Sequence, residues 1–229
     1  MCGRFTLRTP GNLIIRQFAL NFHGQLWPRY NIAPTQMVPV VRGLDRQTTL
    51  LRWGLVPSWS KLPTTGRPMI NARSETAATK PAFRNAFRQQ RCLIPADGYF
   101  EWRREGKQKQ PYWIRMRDDR PFLMAGLWEH WRDRTAEDEV DPMETFTVLT
   151  TSANSLTVEI HDRMPVILGP HDYDRWLDPE SQDADQLTYM LEPYDAHEMR
   201  FDAVSTRVNS VRNDDPDCVR VQRSLFDEA

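Results

Sequence analysis

The feature that most constrains the fold of this chain is a central succession of strand-like segments with no helix between them. Residues 91–95, 99–103, 112–117, 121–131 and 145–151 are rich in apolar and aromatic side chains, and polar segments separate them. Parallel strands need a long crossover, usually a helix, and the regular alternation of strand and helix is absent here. The pattern therefore predicts an α+β fold, in which a mostly antiparallel, barrel-like sheet forms the core of a single domain.

Signals for short helices surround this sheet. Thr9-Pro10 has the order of an N-cap residue followed by proline at the first helical position, which predicts a helix over residues 12–22. Lys80-Pro81 repeats the proline signal before a second helix. The remaining predicted elements are strands at 37–42, 47–56, 164–168 and 201–208 and helices at 152–160 and 171–177. These short helices decorate the sheet.

The composition is typical of a soluble globular protein. Charged residues make up 27% of the 229 residues, and no stretch approaches the roughly 18 consecutive apolar residues of a membrane-spanning helix. No apolar segment follows a basic N-terminus, which argues against a secretory signal. We expect a cytoplasmic monomer without a membrane segment, with one domain over residues 1–212 and a polar, loosely ordered C-terminal tail at 213–229.

The cysteines indicate neither disulfides nor a metal site. Cys2, Cys92 and Cys218 are odd in number and far apart, and the chain has no CxxC pair. It also lacks a phosphate loop, a GxSxG elbow and an HExxH motif. We therefore expect no metal and no cofactor, so that any chemistry comes from the side chains and the chain terminus.

The net charge of −1 hides a strong asymmetry along the chain. Residues 1–117 contain 20 Lys and Arg against 5 Asp and Glu, whereas residues 118–229 contain 10 against 26. One explanation is that the two halves pair with each other in the fold. The other is that the first half, in which arginine predominates, builds a face that binds a polyanion such as nucleic acid.

Cys2 offers an unusual pair of nucleophiles. If Met1 is removed, the α-amine and the thiol of Cys2 lie on one carbon skeleton, with reference pKa values of about 7.7–8.0 and 8.5. An aldehyde can form a Schiff base with such an amine, and the thiol can then close on the imine carbon to give a thiazolidine ring. Because the second step is intramolecular, proximity favours it strongly. A cysteine at this position could also be an accident of the start of the gene.

Dense local strings rich in Trp, Arg and Gly carry a family resemblance. These strings are MCGRF at 1–5, RYNIAP at 29–34, RWGLVPSW at 52–59, INARSET at 70–76, CLIPADGYFEW at 92–102, TTSAN at 150–154 and IHDRMPVIL at 160–168. Together they resemble the SOS response-associated peptidase (SRAP) family, whose members crosslink to abasic sites in single-stranded DNA. The resemblance runs from Cys2 to about Arg212.

The resemblance implies catalytic roles for four residues. Cys2 matches the family's N-terminal nucleophile, which forms a thiazolidine with the ring-opened sugar aldehyde once the initiator methionine is lost. Glu101 matches the catalytic carboxylate, His161 the acid–base histidine, and Asn71 the asparagine that senses the abasic site. Without the resemblance, a strand glutamate would be expected to pair with a neighbouring arginine, an asparagine before a helix to cap it, and a lone histidine to be structural.

The resemblance also implies DNA contacts. Arg4 and Arg73 match positions expected to hold phosphates near the lesion. The further candidates are Pro34, Trp53, Trp59 and Trp102 for stacking or a wedge between bases, Thr150 and Thr151 for hydroxyl contacts to phosphate, and Lys80 and Arg84 for outer phosphate contacts. Core packing is an alternative for the tryptophans, most of all Trp53, and a solvated helix face explains Lys80 and Arg84 equally well.

The resulting hypothesis is a nucleoid-associated DNA-damage response enzyme whose partner is single-stranded DNA containing abasic sites. It would form a covalent crosslink through the Cys2 α-amine and thiol and so shield the strand from cleavage. Autoproteolytic removal of the initiator methionine and a weak lyase activity would accompany this reaction. Two alternatives stay open: a cysteine-type peptidase that acts on peptides, and a non-covalent reader of single-stranded nucleic acid in which Cys2 is incidental.

Overall fold

The computed structural model describes residues 2–63, 68–106, 108–133 and 141–222, and of Glu105 only the backbone. Within these residues the strands are β1 (Phe5–Leu7), β2 (Arg29–Ile32), β3 (Met37–Arg42), β4 (Gln47–Trp53), β5 (Asn71–Arg73), β6 (Arg91–Ala96), β7 (Gly98–Glu105), β8 (Gln108–Met116), β9 (Phe122–Trp131), β10 (Met143–Ser152), β11 (Arg163–Pro165), β12 (Ile167–Leu168) and β13 (Met199–Ala203). The α-helices are α1 (Gly11–Phe18), α2 (Ser74–Ala77), α3 (Arg84–Gln89), α4 (Tyr173–Leu177) and α5 (Ala184–Tyr189). Single turns of 3-10 helix lie at Thr157–Glu159, Pro170–Asp172, Ala196–Glu198, Thr206–Asn209 and Pro216–Val219.

Five strands close into a barrel, as the strand-rich pattern predicted. The ring runs β10-β4-β3-β6-β9 and returns to β10. Every pairing in it is antiparallel except the short parallel contact of β4 with β10. Closure leaves the ring without a free edge, and the aromatic rings of Trp53 and Phe146 stack at 6.2 Å across the parallel contact. The predicted α+β, mostly antiparallel and barrel-like fold is confirmed.

The long strand β10 pairs with two strands outside the barrel ring in addition to its neighbours within it. Beyond the parallel contact with β4 it pairs in parallel with β5, and beyond β9 it pairs antiparallel with β11. Residues 145–151 of β10 are all buried, because both faces of the strand are covered. Strand β10 thus connects β5, which begins at Asn71, with β11, which begins two residues after His161.

A second sheet packs against the barrel in the order β13-β8-β7-β1-β2. One face of β7 places Tyr99 in the main core, while the opposite face places Phe100 in a smaller core with Val208 and Cys218. Because side chains alternate along a strand, Glu101 shares the inner face with Tyr99. Trp113 packs directly against the backbone of Gly98. Any larger residue at position 98 would clash, because a Cβ there would lie 2.1 Å from Nε1 of Trp113.

Helix α1 differs from the prediction at both ends. It spans Gly11–Phe18 and ends at Ala19, whose φ of 50° is left-handed. Pro10 precedes the helix with ψ at 132° instead of occupying its first turn. The Thr9 hydroxyl does not cap the helix, because it donates to Oδ2 of Asp97 at 2.7 Å. The Thr9 side chain, which the sequence predicted to be the N-cap, is therefore bound to the buried carboxylate of Asp97 instead.

Several other boundaries also moved. The second predicted helix begins at Arg84, three residues after the proline signal, and the predicted helix at 152–160 is reduced to the turn Thr157–Glu159. The predicted strand at 201–208 lies instead at Met199–Ala203, and a 3-10 turn follows it. Pairing with β8 sets the limits of β13, and a local sequence pattern does not contain this long-range pairing.

The first part of the C-terminal tail packs against the domain. Asp214 accepts hydrogen bonds from the backbone N–H groups of Tyr30 at 2.6 Å and Asn31 at 2.9 Å, and it pairs with Arg29. Cys218 is buried in the smaller core. The expectation of loose order is therefore wrong for residues 213–222, while 223–229 lie outside the described residues.

Ion pairs join the basic and acidic halves of the chain. Such pairs are Arg8 with Asp119, Arg29 with Asp214, Arg42 with Glu144, Arg46 with Asp174, and Arg115 with Asp202. Pairing between the halves accounts for part of the asymmetry. Among the described helices, none is long and apolar enough to cross a membrane.

Candidate active site

The register of β1 and β7 brings the N-terminus to Glu101. Phe5 pairs with Tyr99, and the backbone N–H of Phe100 donates to the carbonyl oxygen of Arg4 at 3.0 Å. Extending this antiparallel register places Glu101 opposite Gly3. Cys2 therefore lies beside the carboxylate, although 99 positions separate the two in sequence.

The Cys2 thiol is fully buried. Burial raises its pKa well above the ordinary range, and the nearby carboxylate of Glu101 raises it further. The thiol is therefore protonated near neutral pH in this environment. A reaction at Cys2 therefore has to begin at a group other than the thiol, or a base has to remove the thiol proton before the sulfur attacks.

Asn71 holds the backbone of Cys2. It opens β5, which runs parallel to β10, with Asn71 opposite Val148. Its Nδ2 donates to the Cys2 carbonyl oxygen at 2.8 Å, and its buried Oδ1 has no hydrogen-bond partner among the described residues. Helix α2 has no side-chain cap, so Asn71 does not act as the cap that an asparagine before a helix suggests. One amide oxygen remains as an acceptor at the site.

Glu101 is only 3% exposed, which contradicts the alternative of a strand-surface glutamate. Burial raises the pKa of its carboxyl group, and the nearby positive charges, including that of a protonated His161, oppose this rise. A raised pKa makes the carboxylate a stronger base, which favours the transfer of a proton to it.

His161 follows the turn Thr157–Glu159, and its backbone N–H donates to Thr157 O at 3.0 Å. Its Nδ1 accepts the backbone N–H of Arg163 at 3.0 Å and lies 2.8 Å from Oδ1 of Asp162. The side chain is 30% exposed and lines a cleft together with Glu101. The other four histidines are exposed and do not line this cleft.

The cleft has a volume of about 480 Å³ and opens to solvent. Its lining consists of Arg4, Glu101, Trp102, Lys109, His161 and Asn209. Nε1 of Trp102 donates to Oδ1 of Asn209 at 2.7 Å, which fixes the indole at the wall. Lys109 and Asn209 escaped the sequence analysis, because a lysine in a charged hairpin and an asparagine in a polar turn resemble ordinary surface residues.

Arg4 is half-buried in the wall of the cleft. Its Nη1 donates to Oδ1 of Asn31 at 3.0 Å and to the carbonyl oxygen of Val208 at 2.8 Å. Burial lowers the pKa of its guanidinium group. No carboxylate pairs with Arg4 among the described residues, so its charge is available to an anion in the cleft.

The other exposed candidates for DNA contacts lie outside the cleft lining. Arg73, Lys80 and Arg84 are exposed, and within the described part of the chain none of them lies within 4.0 Å of a carboxylate oxygen, although the charge of Arg73 helps to lower the pKa of the nearby Glu75 carboxyl group. Trp59 is 59% exposed. Pro34 is partly exposed and precedes Thr35, whose φ of 73° is left-handed.

Three candidates for DNA contacts are buried. Trp53 is enclosed in the core, and its Nε1 donates to Ile70 O at 2.9 Å. Thr150 is also enclosed, with its hydroxyl 3.5 Å from the carbonyl oxygen of Ala72, and Thr151 is almost fully buried. An enclosed indole cannot stack on a base, and enclosed hydroxyls cannot reach a phosphate. The structure corrects these three predictions, because Trp53 lies on the covered face of β4 and residues 145–151 of β10 are covered on both faces.

No group of three or more His, Cys, Asp or Glu side chains among the described residues could hold a metal ion. The ionisable side chains that line the cleft are instead the two cations Arg4 and Lys109, the Glu101 carboxyl group and the His161 imidazole. Together with the buried N-terminal segment, this set can bind an anion and move protons.

Comparison with known proteins identifies the family of this chain. The family model described as SOS response associated peptidase (SRAP) matches residues 1–211. Abasic site processing protein YoqW of Bacillus subtilis is 42% identical over 225 residues, which cover 96% of this chain and 99% of that protein. Abasic site processing protein YedK of Escherichia coli is 34% identical over 189 residues, or 81% of each chain. A crystal structure of a Bacteroides thetaiotaomicron protein superimposes with a TM-score of 0.87 at 30% identity, covering 97% of this chain and 100% of that one. This chain belongs to the SOS response-associated peptidase (SRAP) family.

Proposed function

We propose that this protein processes abasic sites in single-stranded DNA by forming a covalent thiazolidine crosslink through Cys2. The observation that carries the proposal is the hydrogen bond from Asn71 Nδ2 to the Cys2 carbonyl oxygen, which holds the N-terminal residue beside Glu101. The relatives YoqW and YedK are named abasic site processing proteins, which supports the substrate.

The first step requires a free α-amine, so Met1 has to be removed, and we include its autoproteolytic removal in the proposal. The uncharged amine of Cys2 then attacks the aldehyde of the ring-opened abasic sugar and gives a carbinolamine. Loss of water from this adduct leaves an imine. Glu101 takes the proton from the amine, and His161 opens the sugar ring and supplies the proton with which water leaves.

The second step closes the ring. Glu101 first returns the amine proton to His161. The Cys2 sulfur then adds to the imine carbon, and Glu101 takes the thiol proton and delivers it to the imine nitrogen, which becomes a secondary amine. Burial keeps the thiol protonated, so the amine reacts first and the sulfur second. Conversion of the imine to a thiazolidine removes the electron sink that drives β-elimination. Strand cleavage is then a minor side reaction, and the crosslink protects the strand.

The cleft and its surroundings supply the DNA contacts. Arg4 has no carboxylate partner in the described chain and can hold a phosphate beside the lesion. Trp102 offers an indole face for a neighbouring base. The free amide oxygen of Asn71 can accept a hydrogen bond from a hydroxyl of the opened sugar. Arg73 and Trp59 extend the contact outward, and the protein acts as a monomer.

The decisive experiment is the intact mass of the purified protein, with and without a single-stranded oligonucleotide containing one abasic site. We expect loss of Met1 and a 1:1 adduct whose mass equals protein plus oligonucleotide minus one water. Cys2→Ala should give no thiazolidine, whereas Cys92→Ala, which changes a buried thiol far along the chain, should couple normally. A stable adduct formed at wild-type speed by Cys2→Ala would refute the proposal.

A further inference from the structure

An ion pair joins the segment that follows Asn71 to the segment that follows His161. Glu75 lies in α2, directly after β5, and Arg163 opens β11. Nη2 of Arg163 lies 2.9 Å from Oε2 of Glu75, and Nη1 donates to the other carboxylate oxygen. The contact is thus bidentate, which fixes the orientation of both planar groups.

The pair also spans strand β10. Thr150 pairs with Arg73 of β5 on one side and with Pro165 of β11 on the other. Nη2 of Arg163 donates to the Thr150 carbonyl oxygen as well, so the guanidinium is tied to both β10 and α2. Its side chain is 12% exposed, and within the described residues Glu75 is its sole acidic partner. A nearly buried guanidinium depends strongly on such a partner.

The backbone of Arg163 touches the imidazole of His161. Its N–H donates to Nδ1 at 3.0 Å, and this contact needs a lone pair on Nδ1. Oδ1 of Asp162 lies 2.8 Å from the same nitrogen, and that contact needs a proton there. The two contacts therefore favour opposite states of the ring. A neutral ring that accepts at Nδ1 carries its proton on Nε2.

We propose that Glu75 is a positioning residue for His161. By holding the Arg163 guanidinium against β10, it fixes the Arg163 N–H at Nδ1, so that the neutral imidazole keeps its proton on Nε2. When the clamp is lost, the Asp162 carboxylate draws the proton to Nδ1. The catalytic consequence rests on the proposed function, but the effect on the ring is a property of the free protein.

The first test is therefore made without DNA. Ring nitrogen-15 NMR at pH 8 is recorded for the wild type, Glu75→Gln and the matched control Glu159→Gln, with His161→Asn used to identify the signal. Glu159 is an exposed glutamate two residues before His161 and lies outside the cleft lining. We expect the Nε2-protonated form in the wild type and the control, and a shift toward Nδ1 protonation in Glu75→Gln. Unchanged His161 signals in a folded Glu75→Gln would overturn the inference.

The second test separates rate from affinity. Single-turnover crosslinking to an abasic oligonucleotide should slow about 10–100-fold in Glu75→Gln, a partial loss of the roughly 10²–10⁴-fold that one acid–base group contributes. Affinity for an undamaged oligonucleotide of the same length should stay within about twofold of the wild type. Equal losses of rate and affinity would instead make Glu75 a support of DNA binding and overturn the inference.

Two further variants keep the test decisive. If Glu75→Gln does not fold, both measurements use Glu75→Asp and Arg163→Lys instead. The first retains the charge on a shorter side chain, and the second retains the charge but cannot form the bidentate contact. Normal ring signals and normal rates in both would contradict the positioning role. Absence of any adduct with the wild type would refute the proposed function alone, since the NMR result still decides the role of Glu75.

Discussion

The side-chain amide of Asn71 donates a 2.8 Å hydrogen bond to the backbone carbonyl oxygen of Cys2, across 69 positions of sequence. Residues at a chain terminus are usually poorly ordered unless they are tied down. Here one amide fixes the residue that would carry the reactive amine, while its other atom remains an acceptor. The position of the terminus therefore depends on β5, a strand of three residues.

The variant Asn71→Asp tests this anchor. Aspartate keeps the size of the side chain but replaces the Nδ2 donor with an oxygen that repels the Cys2 carbonyl oxygen. We expect crosslinking to slow about 100-fold, since misplacement by about 1 Å has effects of this size. Gel quantification of the covalent adduct over time measures the rate. Asn12→Asp, on the exposed side of α1, serves as the control, and equal rates for the two variants would contradict the role of the anchor.

Glu101→Gln should slow crosslinking about 100-fold and also change how stability depends on pH. Because burial raises the pKa of Glu101, the folded protein binds a proton that the unfolded chain has lost at pH values above its ordinary pKa of about 4.3. The contribution of the Glu101 carboxyl group to stability is therefore present below its ordinary pKa, and it is lost as the pH rises through its raised pKa in the folded protein. Glutamine removes this dependence.

Urea unfolding at several pH values between 4 and 8 measures the effect of Glu101→Gln. The free energy of unfolding of the variant should rise relative to the wild type as the pH increases. A difference that stays constant across this range would show that the pKa of Glu101 is not raised.

Arg73→Gln should weaken binding to undamaged single-stranded DNA and reduce its salt dependence. Each phosphate contact contributes roughly 0.7 to the slope of log K against log salt for single strands. Fluorescence anisotropy at several salt concentrations gives this slope. Arg46→Gln is the control, because Arg46 already pairs with Asp174 at 2.8 Å. A slope that falls equally in both variants would contradict a phosphate contact by Arg73.

Two tryptophans should respond in opposite ways. Trp59→Ala removes an exposed ring, so the free energy of unfolding should change by less than about 0.5 kcal/mol. The free energy of DNA binding should weaken by about 1–3 kcal/mol, which is the contribution of one base stacked on the indole. Trp53→Ala removes a core ring and should cost about 3–5 kcal/mol of stability. Thermal unfolding and DNA titration measure both effects. Normal DNA affinity in Trp59→Ala would remove Trp59 from the DNA surface.

The sequence predicted the strands of the barrel well, because their apolar character is local. It did not predict that β10 would run parallel to β4 and β5, since that pairing joins segments far apart in the chain. Nor did it show that Thr150 would be enclosed, because burial of β10 on both faces depends on what packs against it.

The candidate site divides in the same way. Motifs pointed to Cys2, Asn71, Glu101 and His161. Of these, the structure places Glu101 and His161 in the lining of the cleft, and it joins Asn71 to the buried Cys2, which lies beside Glu101. Lys109 and Asn209 come from a hairpin and from a turn after β13, and nothing in their local sequence distinguishes them. Their place in the cleft follows from sheet order, which becomes visible only in three dimensions.

The carboxylate of Asp214 has a consequence for solubility. Strand β2 is the outermost strand of its sheet, and an outermost strand offers free backbone donors on which another chain can grow. Asp214 occupies two of these donors, at Tyr30 and Asn31. Asp214 thus blocks part of this edge, and its replacement by alanine would leave both donors open to pairing with a strand of another molecule, which is a route to aggregation.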